Sequence, residues 1–158
     1  MGLFNLIQDG KPIWAAAPKD TTGAAYNGDY INMSLIEELW ILISQGEWAG
    51  GTPAVTLGQG TTAAGGTTAA LTSFEAWTAT GLTVDTPAAV TVAAGTFNLT
   101  ATANSFTLIR ARANQMTEGY KYLRAQVASP GANADLISMV YIGVGLKFHG
   151  KYPPTSIV

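Results

Sequence analysis

Residues 39–43, with the sequence LWILI, form the longest uninterrupted block of large apolar side chains in the first half of the chain. Successive side chains of a β-strand point to opposite faces of a sheet. A strand without a polar side chain therefore has two faces that avoid water, and such strands are normally covered on both sides. We expect the rest of the chain to be arranged in layers around this block.

The same region carries a competing helical pattern. Residues 34–37 have the S-x-x-E form of a helix capping box. Five apolar residues would fall on one helical face: Leu35, Ile36, Leu39, Trp40 and Ile43. Against a helix, Ile41 and Leu42 would point away from that face, and the residues before the block alternate with a strand's period of two. We therefore predict a turn at residues 35–38 between strands, and three strands in all: 30–33, 39–44 and 54–57.

The last third of the chain has the clearest β pattern. Turn-rich sequences separate three predicted strands: residues 106–111, 120–127 and 136–146. In the second of these, Leu123, Ala125 and Val127 alternate with a more polar set: Tyr120, Tyr122, Arg124 and Gln126. One face of this strand should therefore meet water or an interface.

Two segments, 58–70 and 78–104, are rich in Thr, Ala and Gly and low in complexity. A flexible linker is one interpretation. Alternating apolar residues favour strands instead, because Thr and Val suit pleated surfaces: residues 82–84, 90–92 and 97–99. Leu71, Phe74 and Trp77, which lie between the two segments, are predicted to be core residues beside a turn or one helical turn.

The N-terminus is predicted to form a hairpin over residues 3–15, turning at Asp9 and Gly10. Pro12 lacks an N–H group and indicates an edge strand. We predict an extended N-terminal arm, residues 1–18, that completes its sheet on a neighbour. Residues 19–158 are predicted to form a single domain. The overall prediction is an all-β fold, an antiparallel β-sandwich with a jelly-roll-like arrangement.

Charge is scarce and unevenly placed. Charged residues make up 11% of the chain, and no Lys or Arg occurs between Lys19 and Arg110. This neutral span could be a Thr-rich surface without further meaning. We favour coverage by other subunits, because the cores of interfaces are depleted in charge. A net charge of −2 argues against a direct nucleic-acid partner, and the absence of a stretch of about 20 apolar residues argues against a membrane partner.

The sequence offers no constellation for catalysis. It contains no Cys, a single His149, and no G-x-S-x-G motif around a serine. His149 is expected at the surface or at a subunit contact. The acidic residues that might hold calcium lack the spacing of a calcium loop: Asp29, Asp85 and Asp135. We predict no catalytic residue, no cofactor and no metal site.

The interface candidates are aromatic, apolar and cationic residues. Arg110 and Arg112 share one face of a predicted strand, with Arg124 expected on an adjacent strand. They form either a solvated strip or a docking patch for acidic side chains, to which guanidinium groups are suited. The full set of predicted interface residues is Phe4, Ile7, Trp14, Arg110, Arg112, Tyr120, Tyr122 and Arg124.

Several fragments between about residues 20 and 145 carry a family resemblance. They are 22–24 (TGA), 28–31 (GDYI), 40–46 (WILISQG), 52–59 (TPAVTLGQ), 74–77 (FEAW), 122–131 (YLRAQVASPG) and 136–141 (LISMVY). In this order they resemble the small structural proteins of tailed bacteriophages that are encoded near the head genes. Residues 78–96 depart from the family pattern.

The resemblance implies a β-sandwich accessory protein that decorates or cements a capsid. Its partners would be the major capsid protein and further copies of itself, in a virion assembled in the host cytoplasm. A head–tail or tail-tube position falls within the same class. The alternative is a glycan- or host-binding β module with aromatic platforms at Trp14, Trp48, Trp77 and the Tyr120/Tyr122 face. An enzyme is the least favoured class.

Overall fold

A computed structural model describes residues 10–84 and 86–147 of the chain. These residues form strands β1 (Gly10–Asp20), β2 (Tyr26–Asn27), β3 (Ile31–Asn32), β4 (Glu38–Trp48), β5 (Ala54–Thr62), β6 (Gly65–Ala70), β7 (Glu75–Ala79), β8 (Ala88–Val90), β9 (Thr96–Asn98), β10 (Ser105–Arg112), β11 (Tyr122–Val127) and β12 (Asp135–Val144). Two short 3-10 turns, Met33–Leu35 and Ala113–Gln115, complete the regular structure.

The strands form two sheets, in which neighbouring strands are antiparallel. Sheet A has the order β1-β12-β4-β10-β7-β8. Sheet B has the order β2-β11-β5-β6, with β3 also pairing with β11 and β9 with β5. The chain repeatedly crosses from one sheet to the other, whereas β5–β6 and β7–β8 are hairpins within a sheet. The predicted all-β sandwich is confirmed.

The core lies between the sheets and is lined by the inward side chains of the longest strands. Leu39, Ile41 and Ile43 of β4 are fully buried, as are Leu57 of β5 and Leu123 of β11. Because successive strand residues alternate in direction, the intervening side chains point away from this core.

Tyr141 joins the two sheets. Its side chain is buried, and its hydroxyl oxygen accepts a hydrogen bond from the backbone N–H of Ala125 at 2.8 Å. Burial raises the pKa of this phenol above its usual value. Gly28 packs against the same hydroxyl group, and a β-carbon at this position would collide with it.

The region around the apolar block contains strands, as predicted, rather than an α-helix. The chain turns at Met33–Leu35, slightly before the predicted position, and Ile36 is already extended, at φ −133° and ψ 160°. The capping side chain is Asn32, whose Oδ1 accepts hydrogen bonds from the backbone N–H and the hydroxyl of Ser34, at 3.0 and 2.6 Å. The S-x-x-E motif therefore does not cap a helix.

The apolar block itself is covered on one side. Leu39, Ile41 and Ile43 face the core, whereas Trp40 and Leu42 are half-buried on the outer face of sheet A. The described strands form two sheets, and no third sheet lies over that face. Within the described part of the chain the core therefore covers one side of the block, and the expected cover over the other side stays a prediction.

The two low-complexity segments differ: 58–70 is mostly strand, whereas 78–104 is mostly loop and contains the short strands β8 and β9, of which β8 ends at Val90 before the rest of the predicted strand 90–92. Residues 58–70 continue β5 and form the β5–β6 hairpin, which excludes a linker there. Residues 82–84 were predicted to be a strand, but they lie in an exposed loop in which the side chain of Leu82 is 83% exposed. Phe74 lies in the core, and its ring meets that of Phe97 edge-on at 6.2 Å. Trp77, in contrast, points outward.

The two edges of sheet A are irregular or short. Edge strand β1 contains Pro12, as the edge prediction requires, and register shifts interrupt its pairing with β12 on both sides of Ala16. The hydroxyl of Tyr26 lies 2.8 and 2.6 Å from the carbonyl oxygens of Ala16 and Ala17. The opposite edge, β8, has three residues.

The first part of the predicted N-terminal hairpin lies outside the described residues. Strand β1 runs across residue 18, the predicted boundary between the arm and the domain.

Candidate functional site

The outer surface of sheet A carries a continuous row of apolar side chains. Strand register places six residues side by side from edge to edge, which we call the central row: Trp14, Val140, Leu42, Leu108, Trp77 and Ala89. Trp14 is 65% exposed, and the next four are half-buried. Isolated apolar residues are common on protein surfaces, but a contiguous row indicates a contact surface.

Neighbouring positions extend this surface. Trp40 and Ile142 are half-buried in the adjacent row, and Phe106 is half-buried on the other side of Leu108. We call the central row together with these three residues the apolar face. The rings of Trp40 and Trp77 are stacked, with centroids 5.9 Å apart and an interplanar angle of 22°. This stack bridges β4 and β7 across β10 and forms an aromatic patch within the face.

A group of four charged residues borders the apolar face at one end. Arg110 contacts Glu38 at 2.7 Å and Glu75 at 3.3 Å, and Arg112 contacts the same two carboxylates at 3.4 and 3.3 Å. The hydrogen bond from Arg110 is the main reason that the pKa of Glu38 lies below its usual value. Arg110 also lies over the ring of Trp40, with Cζ 5.5 Å from the ring centroid. The two positive and two negative side chains balance one another.

The outer surface of sheet B is polar. Tyr122, Arg124 and Gln126 of β11 alternate with buried apolar residues, as predicted. The side-chain amide of Gln126 donates to Asn27 Oδ1 at 3.0 Å. Arg124 lies over the ring of Tyr30, with Cζ 4.8 Å from the centroid. We call this surface the polar face.

A cavity of about 340 Å³ opens on the polar face. It is lined by Tyr30, Thr56, Leu57, Gly58, Thr68, Ala69, Ala70, Arg124 and Gln126. Glycines make room for the ring of Tyr30, because β-carbons at Gly60 and Gly65 would lie 2.9 and 3.2 Å from ring atoms. The Nε atom of Arg124 is buried without a hydrogen-bond partner among the described residues.

The predicted interface residues divide between the two faces. Trp14, Arg110 and Arg112 lie on the outer surface of sheet A, and Tyr122 and Arg124 lie on the polar face. Tyr120 lies in the turn that leads into β11, and two further candidates lie outside the described residues: Phe4 and Ile7. The expectation that Arg124 neighbours Arg110 and Arg112 is wrong, because β11 and β10 belong to different sheets.

Most residues of the apolar face were not among the predicted interface residues. The missed positions are Trp40, Leu42, Trp77, Phe106, Leu108, Val140 and Ile142. A signal for them exists in the sequence, because β4 and β12 are apolar at both alternating sets of positions. We interpreted that signal as burial within the chain.

The described acidic residues do not gather into a metal site. Residues 10–84 and 86–147 contain no group of three or more His, Cys, Asp or Glu side chains that could hold a metal ion. Asp135 is fully buried, and its Oδ1 accepts hydrogen bonds from the N–H groups of Ala49 and Gly50, at 2.7 and 3.3 Å. His149 lies outside the described residues. No helix in the described ranges is long and apolar enough to cross a membrane.

No family model matches the chain, and no curated protein matches it. The solved structure of the SPBc2 prophage-derived protein YomS is similar over 85% of this chain and 94% of that one, with 11% identity and a TM-score of 0.44. A T=1 particle derived from infectious bursal virus is similar over 87% of this chain and 40% of that one, with 10% identity and a TM-score of 0.23.

Proposed function

We propose that this chain is a structural subunit of a tailed-phage virion, of the type that decorates or cements the head shell. The observation that carries the proposal is the apolar face, which spans sheet A from Trp14 to Ala89. The resemblance of the sequence to structural proteins encoded near phage head genes supplies the class of assembly.

The physical basis of the proposed function is removal of this face from water. Each square ångström of apolar surface that a neighbour covers contributes about 25 cal/mol. Stacked Trp40 and Trp77 form a preorganised aromatic anchor, the kind of feature that dominates the energy of protein interfaces. A subunit bound in this way would strengthen a shell by adding non-covalent contacts between its neighbours.

The charged group at the border of the face supports contact with a neutral surface. Arg110 and Arg112 are already paired with Glu38 and Glu75 within the chain. An acidic partner would have to compete with these ion pairs. The geometry therefore favours packing over the predicted docking of a partner's acidic side chains on these arginines.

Particle binding tests the proposed function. Purified protein is mixed with phage heads that lack small accessory subunits, and the mixture is sedimented and then heated or diluted into low salt. We expect co-sedimentation and a higher temperature of shell rupture. A Leu108→Lys variant should lose both effects, because a lysine in the central row would be desolvated when a neighbouring subunit covers the face.

A matched substitution on the polar face provides the control. Thr56→Lys adds the same charge to a half-buried position of β5 on the other sheet, and we expect particle binding to persist. If the unmodified protein neither sediments with heads nor changes their rupture, the cementing role is wrong.

A glycan-binding role is the second candidate, and the cavity beside Tyr30 and Arg124 favours it. The proposed aromatic platforms are dispersed. Trp14 and Trp77 lie on strands separated by β12, β4 and β10, and the indole N–H of Trp48 donates to the carbonyl of Gly51 at 3.1 Å. Glycan binding that is lost in an Arg124→Ala variant, without any association with heads, would select this role.

A further inference from the structure

We propose that the occupant of the apolar face is a second copy of this chain, packed face to face about a two-fold axis parallel to the strands. The inference rests on the proposed function only in treating this face as a subunit contact, and it goes further by naming the neighbour. The axis would run between β4 and β10, the two middle strands of sheet A.

The central row is self-complementary under this symmetry. Its largest exposed side chain, Trp14, lies at one edge, and its smallest, Ala89, lies at the other. A two-fold rotation about the proposed axis places β1 of each copy over β8 of the other. Trp14 would then lie above the shallow end of the row at Ala89. Leu42 of one copy would lie above Leu108 of the other.

The charge distribution suits an identical neighbour. Two identical surfaces that carry the same unpaired charge repel each other across an isologous contact. Here the described charges beside the central row form the internal group of Arg110, Arg112, Glu38 and Glu75, which has no net charge. Two copies can therefore approach without bringing unpaired like charges together.

The outer surface of sheet A is large enough for a pair. Six strands at a spacing of about 4.8 Å span about 24 Å, and the four outward positions of β10, from Phe106 to Arg112, span about 20 Å. The apolar face together with the charged group thus offers up to about 500 Å² in projection on each copy, and two copies together cover up to about 1,000 Å², which is the size at which specific interfaces begin. Sheets that pack face to face in this way form an aligned β-sandwich contact.

Sedimentation equilibrium of the full chain tests the inference. At micromolar concentrations we expect twice the mass of one chain. A Leu42→Lys variant should be monomeric, with dimerisation weakened on the order of 100-fold or more, because the homodimer would bury two unpaired ammonium groups. A Leu108→Glu variant should be monomeric for the corresponding reason.

An equimolar mixture of the two variants is the decisive measurement. In the proposed geometry, the introduced lysine of one chain faces the introduced glutamate of the other, and the second pair of sites keeps its leucines. We expect the mixture to recover a dimer that contains one chain of each kind. The Thr56→Lys variant should dimerise like the unmodified protein. Circular dichroism of each variant confirms that its strands are retained.

Several outcomes would overturn the inference. They are a monomeric unmodified protein at these concentrations, dimers that survive both single substitutions, and a mixture that does not recover the dimer. These failures are separable from failure of the proposed function. If the protein is a monomer that still binds and stabilises heads, only the proposed dimer is wrong. If it is a dimer that does not bind heads, only the cementing role is wrong.

Discussion

The two outer faces of this sandwich differ although both cover the same core. On the polar face, strand β11 alternates buried apolar residues with Tyr122, Arg124 and Gln126. In sheet A, the strands β4, β10 and β12 place large apolar side chains on both sides. The comparison shows that alternation of apolar and polar side chains leaves a polar outer surface on sheet B, whereas sheet A carries apolar side chains on its outer surface as well.

The first prediction compares the two sides of β4. Ile41→Ala should destabilise the fold by about 2–5 kcal/mol, because it opens a cavity in the core. Leu42→Ala, at the neighbouring outward position, should cost about 1 kcal/mol or less when the chain is dilute. Urea denaturation at low protein concentration measures both. Equal losses would mean that the chain itself covers the apolar face.

The second prediction concerns the tight packing beneath the polar face. A β-carbon at Gly60 would lie 2.8 Å from the carbonyl oxygen of Gly65 and 2.9 Å from the ring of Tyr30. Gly60→Ala should therefore cost about 1–3 kcal/mol through overpacking, measured by the same urea titration. Gly58→Ala is the control, because its β-carbon meets the movable end of Gln126 at 3.0 Å. A larger loss for Gly58→Ala would contradict this account.

The third prediction concerns the pH dependence of the charged group. The pKa of Glu38 is lowered from 4.5, chiefly by its hydrogen bond from Arg110. A lowered folded-state pKa contributes stability that is fully present above the unfolded-state pKa and is lost as the pH falls through the folded-state pKa. Arg110→Gln should raise the pKa of Glu38 and reduce this acid-dependent loss. NMR titration of the Glu38 carboxyl measures the shift, and an unchanged pKa would exclude Arg110 as its cause.

The smallest effect is expected on the polar face. Gln126→Ala removes an exposed hydrogen bond to Asn27 and should change stability by about 0.5 kcal/mol or less. Dimer mass and binding to heads should be unchanged. If a Gln126→Ala variant failed to bind heads although its thermal midpoint was unchanged, the functional contact would lie on the polar face and not on the apolar face.

The sequence predicted the inward residues better than the outward ones. Local alternation identifies β10, β11 and β12, because each has a buried set at every second position. The same period also occurs at Leu82–Val84, where it predicted a strand although the residues form an exposed loop. A short alternation of Thr with apolar residues therefore does not produce a strand where no neighbouring strand supplies hydrogen bonds.

The candidate site depends on long-range pairing, which local patterns do not encode. Trp77 meets Trp40 because β7 and β4 lie on either side of β10 in sheet A. Both strands are more than 25 residues away from β10 in the sequence. Arg124 was grouped with Arg110 for lack of this information. The apolar positions themselves were visible in the sequence, but their exposure follows from which strands lie in which sheet.

The irregular edges of sheet A affect how an assembly can grow. A sheet extends into a fibre when a long, flat edge strand offers its free N–H and C=O groups to another chain. Here the register shifts around Ala16 interrupt one edge, and Ala88–Val90 forms the other with three residues. Growth by pairing at the edges of sheet A is therefore disfavoured. In the proposed pair, association through the broad surface of the sheet about a two-fold axis would close after one step and would yield a finite particle component instead of a filament.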